Sequence, residues 1–234
     1  MKRFSVTVAP GGHQLSDPDL LAFVARTFGC PADVATALLQ RGSRRTYAPR
    51  AIVIAAGGRT TNLFLVVSGH ACAQLYTFDG RLVLLHEFAP GDLFGALDEE
   101  SGTDESEVVA TDALCVTMFA AADFLALAQV HACISLALSR MLLRRLQALT
   151  NRMYERTSLS SAGRVHAELL RLARDGDGRT IRPIPIVTEL AQRINTSRET
   201  ASRAISALER RGIVRREEGS LVIVAPELLR DLVV

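Results

Sequence analysis

Apolar positions change their spacing along the chain, and each change marks a different kind of element. Before residue 45 the spacing is helical. Asp17-Pro18-Asp19 can start a helix carrying Leu20, Leu21, Phe23, Val24 and Phe28. Pro31 and Asp33 look like a second start, followed by Val34, Ala37, Leu38 and Leu39. From about Thr46 to Phe119 the texture becomes short β-rich runs broken by turn residues. These are Ile52 to Ala55, Leu63 to Val67, Ala71 to Phe78, Leu82 to Leu85, Val108 to Thr111 and Cys115 to Phe119. Asp79-Gly80 between two of them is a hairpin signal. Short strands with a turn about every ten residues predict an antiparallel β-barrel or jelly roll.

Residues 121 to 156 contain no Gly or Pro and are rich in Ala, Leu and Arg, so one long helix is expected. At 1.5 Å per residue it would run roughly 54 Å, long for a surface helix of a small domain. Leu142, Leu146, Leu149 and Met153 are spaced four, three and four apart, a short coiled-coil seam with Arg140, Arg144, Arg145, Arg152 and Arg156 between them. Self-association is the expected use of that seam; packing on the chain's own domain is the alternative. After a cap-like break at Thr157-Ser158-Leu159-Ser160, residues Arg164 to Ala173 form an amphipathic helix, and Asp175 to Gly178 form a loop.

Val187 to Leu208 reads as two helices with a tight elbow. Thr188 can cap the first, whose Leu190, Ala191 and Ile194 face inward. Asn195 stands where the elbow needs a residue tolerant of positive φ. Ser197 or Thr196 can cap the second helix, whose buried stripe is Ala201, Ala204, Ile205 and Leu208. Its other face shows Arg198, Glu199, Ser202 and Arg203 within the first two turns, the end that a helix-turn-helix pushes into the major groove. Arginine can fork guanine O6 and N7, and glutamate can accept from cytosine N4. Thr188, Ser197 and Thr200 are hydroxyls placed for phosphates, which position without specifying. Ile213 to Arg216 and Leu221 to Val224 flank Glu217-Glu218-Gly219-Ser220, a two-stranded wing.

Charge narrows the function classes. The chain carries 27 basic and 25 acidic side chains, a formal net charge of +2, which excludes a strongly basic chromatin-type protein. Lys2 is the only lysine, so the positive charge is almost all arginine. Residues 158 to 234 hold 13 arginines against ten acids, so DNA affinity is expected to rest on focused contacts and pairing of subunits. Cys30, Cys72, Cys115 and Cys133 lie far apart with no C-x-x-C pair, and imply neither a disulfide framework nor a zinc site. No apolar run approaches ~18 residues and the N-terminus lacks a signal-type apolar stretch, so a cytoplasmic protein with no membrane partner is expected. The five histidines are scattered, and no G-x-S-x-G, H-E-x-x-H, Walker or dinucleotide motif occurs, so no enzyme is expected.

The stretch from Thr188 through Arg203 closely resembles the recognition motif of the Crp/Fnr family of bacterial transcription regulators. The resemblance extends over about residues 45 to 234. Leu63 to Gly69 with Ala71 to Leu75, and Phe88 to Gly95, look like the family's cyclic-nucleotide-binding barrel. Arg144-Arg145-Leu146-Gln147 looks like its dimer helix, and Ser161 to Val165 with Leu169-Leu170 resembles the helix leading into its winged module. The resemblance implies an α+β chain in four parts: a helical segment at 1–44, an effector-type β-barrel at 45–120, a dimerisation helix at 121–157 and a winged helix-turn-helix at 158–234. It implies a homodimer on a palindrome in double-stranded DNA, with RNA polymerase and a small-molecule effector as further partners. Arg198, Glu199 and Arg203 fall on the family's base-reading positions. Ser202 matches the Fnr-like variant of its position and Arg198 the Crp-like variant, so a hybrid half-site with a TGA-containing core is expected.

The departures lie at the effector site. Members that bind cyclic AMP use a Gly-Glu-Leu run and an Arg-Ser pair for the cyclic phosphate. Here the run is Gly95-Ala96-Leu97, and the pair aligns near Asp104-Glu105. The loop holds Asp98, Glu99, Glu100, Asp104, Glu105 and Glu107 and no base, so no guanidinium is expected to neutralise a phosphate there. The nucleotide-touching hydroxyl pair of the dimer helix becomes Leu149-Thr150. Cyclic AMP is therefore not expected to bind in the usual way, and no cofactor or metal is expected. Residues 1 to 29 lack the cysteines of the Fnr iron–sulfur site. A haem- or other small-ligand sensor, drawing on His70, Cys72 and His86, is one alternative, and a signalling module that does not bind DNA is another. The acidic loop could hold a divalent cation but is expected to be solvated.

Overall fold

The structure, a computed structural model, describes residues 17–78, 80, 82–97, 106–174 and 176–233; the side chains of Arg152, Glu155 and Arg156 also lie outside this description. The chain forms two compact units, Met1–Arg145 and Leu146–Val234.

The first unit opens with helices α1 (Asp17–Phe28) and α2 (Ala32–Arg41), followed by strands β1 (Gly42–Tyr47), β2 (Ile52–Ile54), β3 (Asn62–Ser68), β4 (Ala71–Tyr76), β5 (Leu82–Phe88), β6 (Leu93–Gly95), β7 (Glu107–Ala110) and β8 (Leu114–Ala120). Two antiparallel four-stranded sheets result, ordered β1-β8-β3-β6 and β2-β7-β4-β5. They face one another across Phe64, Val66, Ala73, Phe88, Phe94 and Val116. The expected barrel is thus an open sandwich, because the two sheets do not join. Strand β3 explains its own unbroken apolar run. Phe64 and Val66 point between the sheets, while Leu63, Leu65 and Val67 pack beneath α1 and α2 with Val24, Phe28 and Leu38. The N-terminal helices therefore share a core with the β domain instead of forming a segment apart. Tyr76 pairs with Leu82 across the expected hairpin, whose Asp79 lies outside the described residues.

The single helix expected over 121–156 is divided into α3 (Ala121–Val130) and α4 (Ala132–Ser158), bent by 114° where they meet. His131 is extended at the break (φ −112°, ψ 101°), and the Ser135 hydroxyl donates to the Ala128 carbonyl across it. No helix breaker is present in the sequence. The bend lets Phe124, Leu127 and Ala128 share one core with Ile134 and Ala137, so tertiary packing overrides local preference. The same fold brings Cys30, between α1 and α2, into thiol hydrogen-bonding reach of Cys133, a pair the sequence spacing concealed; all four cysteines are free.

The second unit holds α5 (Ser161–Arg174), β9 (Thr180–Ile181), α6 (Val187–Arg193), α7 (Arg198–Arg210), β10 (Val214–Glu217), β11 (Ser220–Ile223) and α8 (Pro226–Asp231). β10 and β11 form the expected wing, and β9, which sequence spacing did not reveal, adds a third strand against β11. Val165 and Leu169 of α5, Leu190 of α6, and Ile205 and Leu208 of α7 meet in its core.

Candidate nucleic-acid interface and effector cavity

The elbow follows from a few local bonds. α6 ends at Arg193, and Asn195 adopts φ +51°, the left-handed conformation its position demanded. The Thr196 N–H donates to the Ala191 carbonyl at 2.9 Å, closing the turn. Ser197 caps α7, accepting from the Thr200 N–H at 3.1 Å, and its hydroxyl also meets the Thr200 hydroxyl at 3.0 Å. These two hydroxyls, expected as phosphate contacts, hold each other and the start of the helix. Thr188 is exposed but lies inside the first turn of α6; the residue before the helix is Ile186, which supplies no side-chain cap.

α7 buries Ala201, Ala204, Ile205 and Leu208 and leaves Arg198, Glu199, Ser202 and Arg203 exposed at its N-terminal end. Arg198 and Ser202, and Glu199 and Arg203, form two i,i+4 pairs side by side. The Glu199 carboxyl is held below the usual carboxylate range by its own backbone N–H, by the Ser197 hydroxyl, and by Arg198 and Arg203. It stays ionised at neutral pH, as an acceptor for a base-edge amino group must.

Two residues with positioning roles escaped the sequence reading. Arg164 of α5 donates to the Ile194 carbonyl at the elbow (3.2 Å), to the Leu159 carbonyl (3.1 Å) and to the Ser161 hydroxyl (3.1 Å). Glu168, one helical turn on and 3% exposed, pairs with Arg171 and lies 3.7 Å from Arg193 at the end of α6. Both fasten the first reading element to α5. The contacts that tie them to α6 and the elbow, the Ile194 carbonyl and Arg193, lie 25 to 30 residues away, so no spacing rule finds those. On the wing, Arg215 pairs with Glu217 at 2.7 Å and Arg216 with Glu209.

Along α4 the expected seam is open to solvent: Leu142 is 52% exposed, Leu146 61%, Leu149 46% and Met153 69%. A contiguous apolar stripe of this kind on one helical face marks an interaction surface, where isolated exposed apolar residues would not.

In the β domain a cavity of about 210 Å³ lies between the sheets. Gly95 and Ala96 line it as expected. Gly95 has φ +113°, and a Cβ there would stand 2.2 Å from the Asn62 carbonyl oxygen, so only glycine fits. Leu97 turns the other way, into the core beneath α1 and α2. Asp104 and Glu105, with Asp98 to Glu100 of the same loop, lie outside the described residues. Thr150 directs its hydroxyl to the Leu146 carbonyl of its own helix at 2.9 Å.

A guanidinium does reach the cavity, contrary to expectation, because it comes from α4 and not from the loop. Arg145 lines the cavity with its guanidinium 5.1 Å from the centre of the Phe88 ring. Burial lowers its pKa from the ordinary arginine value, and the Asp92 carboxylate offsets part of that. The residues considered for a haem site have other engagements: His70 meets Asp112 at 2.8 Å, the Cys72 thiol faces Gln74, and His86 stands edge-on to Phe88. Among the described residues no group of three or more His, Cys, Asp or Glu is placed to hold a metal.

Comparison with known proteins matches both units. The cyclic nucleotide-binding domain family covers residues 44–131, and the Crp-like helix-turn-helix domain family covers residues 163–232. The chain is 30% identical over 193 residues to the cyclic AMP receptor protein of Thermus thermophilus, covering 81% of this chain and 87% of that one. It is 29% identical over 195 residues to the cAMP-activated global transcriptional regulator Vfr of Pseudomonas aeruginosa, covering 80% and 91%. In fold it is similar to a CooA variant from Carboxydothermus hydrogenoformans (TM-score 0.76, 18% identity, 94% and 98% covered). It is similar also to FixK2 from Bradyrhizobium japonicum (TM-score 0.69, 20% identity, 82% and 96% covered). A cyclic-nucleotide-binding-type domain followed by a winged helix-turn-helix with an exposed, capped reading helix places the chain in the Crp/Fnr family of DNA-binding transcription regulators.

Proposed function

We propose that the chain acts as a cytoplasmic homodimer that reads a palindromic operator with Arg198, Glu199 and Arg203, and that an effector held in the β domain alters its grip on DNA. The observation that carries this reading is the tip of α7, where two guanidinium groups and an ionised carboxylate stand exposed on a helix whose opposite stripe is buried. The open leucine seam of α4 supports pairing. Paired reading helices would then address successive major-groove faces about 34 Å apart. No single helix among the described residues is long and apolar enough to cross a membrane.

The two relatives above are named for cyclic AMP. This chain has Ala96 where such members carry a carboxylate, and we propose that it does not bind cyclic AMP in their manner. Calorimetric binding at micromolar cyclic AMP would refute that point.

The DNA reading is tested by selecting bound fragments from genomic DNA with the full chain and comparing Arg203→Ala. The wild type is expected to enrich a palindrome with TGA-containing half-sites. The variant is expected to lose about 1–3 kcal/mol at the operator while binding scrambled DNA as before. Equal discrimination by both proteins would overturn the base-reading role.

A further inference from the structure

The cavity in the β domain is small, with aromatic and aliphatic walls interrupted by polar groups, and among the described residues it holds one cation. Its walls are chiefly Phe88, Phe94, Ile54, Ala73 and Val108. At about 210 Å³ it falls below the ~300–1,000 Å³ common for drug-sized ligands. One ring or a short branched chain fills such a space. The side-chain hydroxyls on the lining are Thr60 and Ser106, and Ser106 already has a partner.

Arg145 supplies what an apolar body alone would not need. Its guanidinium is half-buried over Phe88 and makes no hydrogen bond or ion pair among the described residues. The nearby Asp92 carboxylate accepts the Ala89 N–H at 2.9 Å. A guanidinium laid against an aromatic ring keeps its N–H edge free, and that edge matches the two oxygens of a carboxylate. Phe64, Phe94 and Phe88 form a continuous array, with ring centres 5.1 and 4.8 Å apart, that a further ring can join.

We infer that this cavity takes a small organic carboxylate with an apolar body, anchored by the fork of Arg145. The inference rests on the reading of the chain as an effector-controlled regulator and names the chemical class of its effector.

The test uses the full chain and calorimetry with benzoate, phenylacetate, cyclohexanecarboxylate and 2-methylbutyrate, each beside its amide, and with cyclic AMP. At least one acid is expected to bind, its amide at least ~10-fold more weakly. Arg145→Met is expected to remove the preference for acid over amide while melting at the wild-type temperature. If that variant does not fold, the acid–amide comparison on the wild type decides alone. The inference is overturned if no acid binds at millimolar concentration, if amides bind as well as acids, or if cyclic AMP binds more tightly than every acid. Operator binding by ligand-free protein is measured separately. A chain that selects its operator but ignores carboxylates refutes only this inference; one that selects no DNA refutes the regulator reading, whatever the calorimetry shows.

Discussion

Replacing Leu146 by glutamate tests the pairing of subunits through α4. The four seam residues are between 46% and 69% exposed, leaving a little over two whole side chains of apolar surface in water per protomer. Full burial of such a side chain stabilises by about 1.5–3 kcal/mol, so two protomers would gain roughly 7–14 kcal/mol. Association itself costs about 4–15 kcal/mol in lost freedom, so the seam has little to spare at any position. Leu146, at 61% exposure, accounts for about 1–2 kcal/mol in each protomer. Losing that twice raises the dimer dissociation constant roughly thirty- to several-hundred-fold. Two carboxylates brought face to face in a partly dry seam add a further penalty. Sedimentation velocity over a dilution series reads the shift directly, and Leu146→Ala should fall between the wild type and the glutamate variant. If the dissociation curve of Leu146→Glu superimposes on that of the wild type while its melting temperature is unchanged, the seam does not pair subunits.

Three further outcomes follow from single contacts. Ser197→Ala removes the cap of α7 and should lower the stability of the second unit by about 1 kcal/mol in urea melts. Arg164→Met keeps the stem but loses three charge-assisted bonds, so a loss of about 2–4 kcal/mol is expected, with operator affinity falling further than for Ser197→Ala. Asp177 is held down to about 2 by the backbone N–H groups of Thr180 and Arg179 and by the Thr180 hydroxyl. With the folded value below the ordinary carboxylate value of about 3.9, its stabilisation is present above about pH 4 and is lost as pH falls towards 2. Melts of Asp177→Asn should lack that part of the wild-type slope between pH 2 and 5; identical slopes would refute the assignment.

The winged module was legible because its determinants are local. The Ala201–Ala204–Ile205–Leu208 stripe, the cap at Ser197 and the positive-φ elbow at Asn195 each require only neighbours in sequence, and they agree with one another. Strands β2, β3, β4, β5, β7 and β8 were legible for the same reason, since turn residues bound each apolar run, whereas β1 and β6 were not. Closure of the sheets was not, because it depends on which edges meet. The bend at His131 was hidden because no breaker marks it; it exists to satisfy a core assembled from Phe28, Phe119 and Phe124, residues spread over a hundred positions. The roles of Arg164 and Glu168 at the elbow were hidden because the contacts that matter there, the Ile194 carbonyl and Arg193, are distant in sequence.

Arg145 was hidden for a more instructive reason: its stretch of sequence already had an explanation. At 100° per residue, Leu142, Leu146, Leu149 and Met153 lie within a stripe about 60° wide, and Arg145 lies just beside that stripe. The periodicity that identifies the seam says nothing about the flank, so an arginine there is indistinguishable from its solvated neighbours Arg140 and Arg144. The adjacency has a mechanical consequence. If a ligand binds the Arg145 guanidinium and α4 pairs subunits as proposed, holding Arg145 would bear on how the neighbouring Leu146 and Leu149 meet a partner. Any coupling between binding in the cavity and pairing of subunits would then be reciprocal. A carboxylate that tightens the dimer must bind the dimer more tightly than the monomer by the same factor. The Leu146→Glu variant, held monomeric, should therefore still bind the acid in preference to its amide, with an affinity shifted by the factor that the acid imposes on wild-type dimerisation.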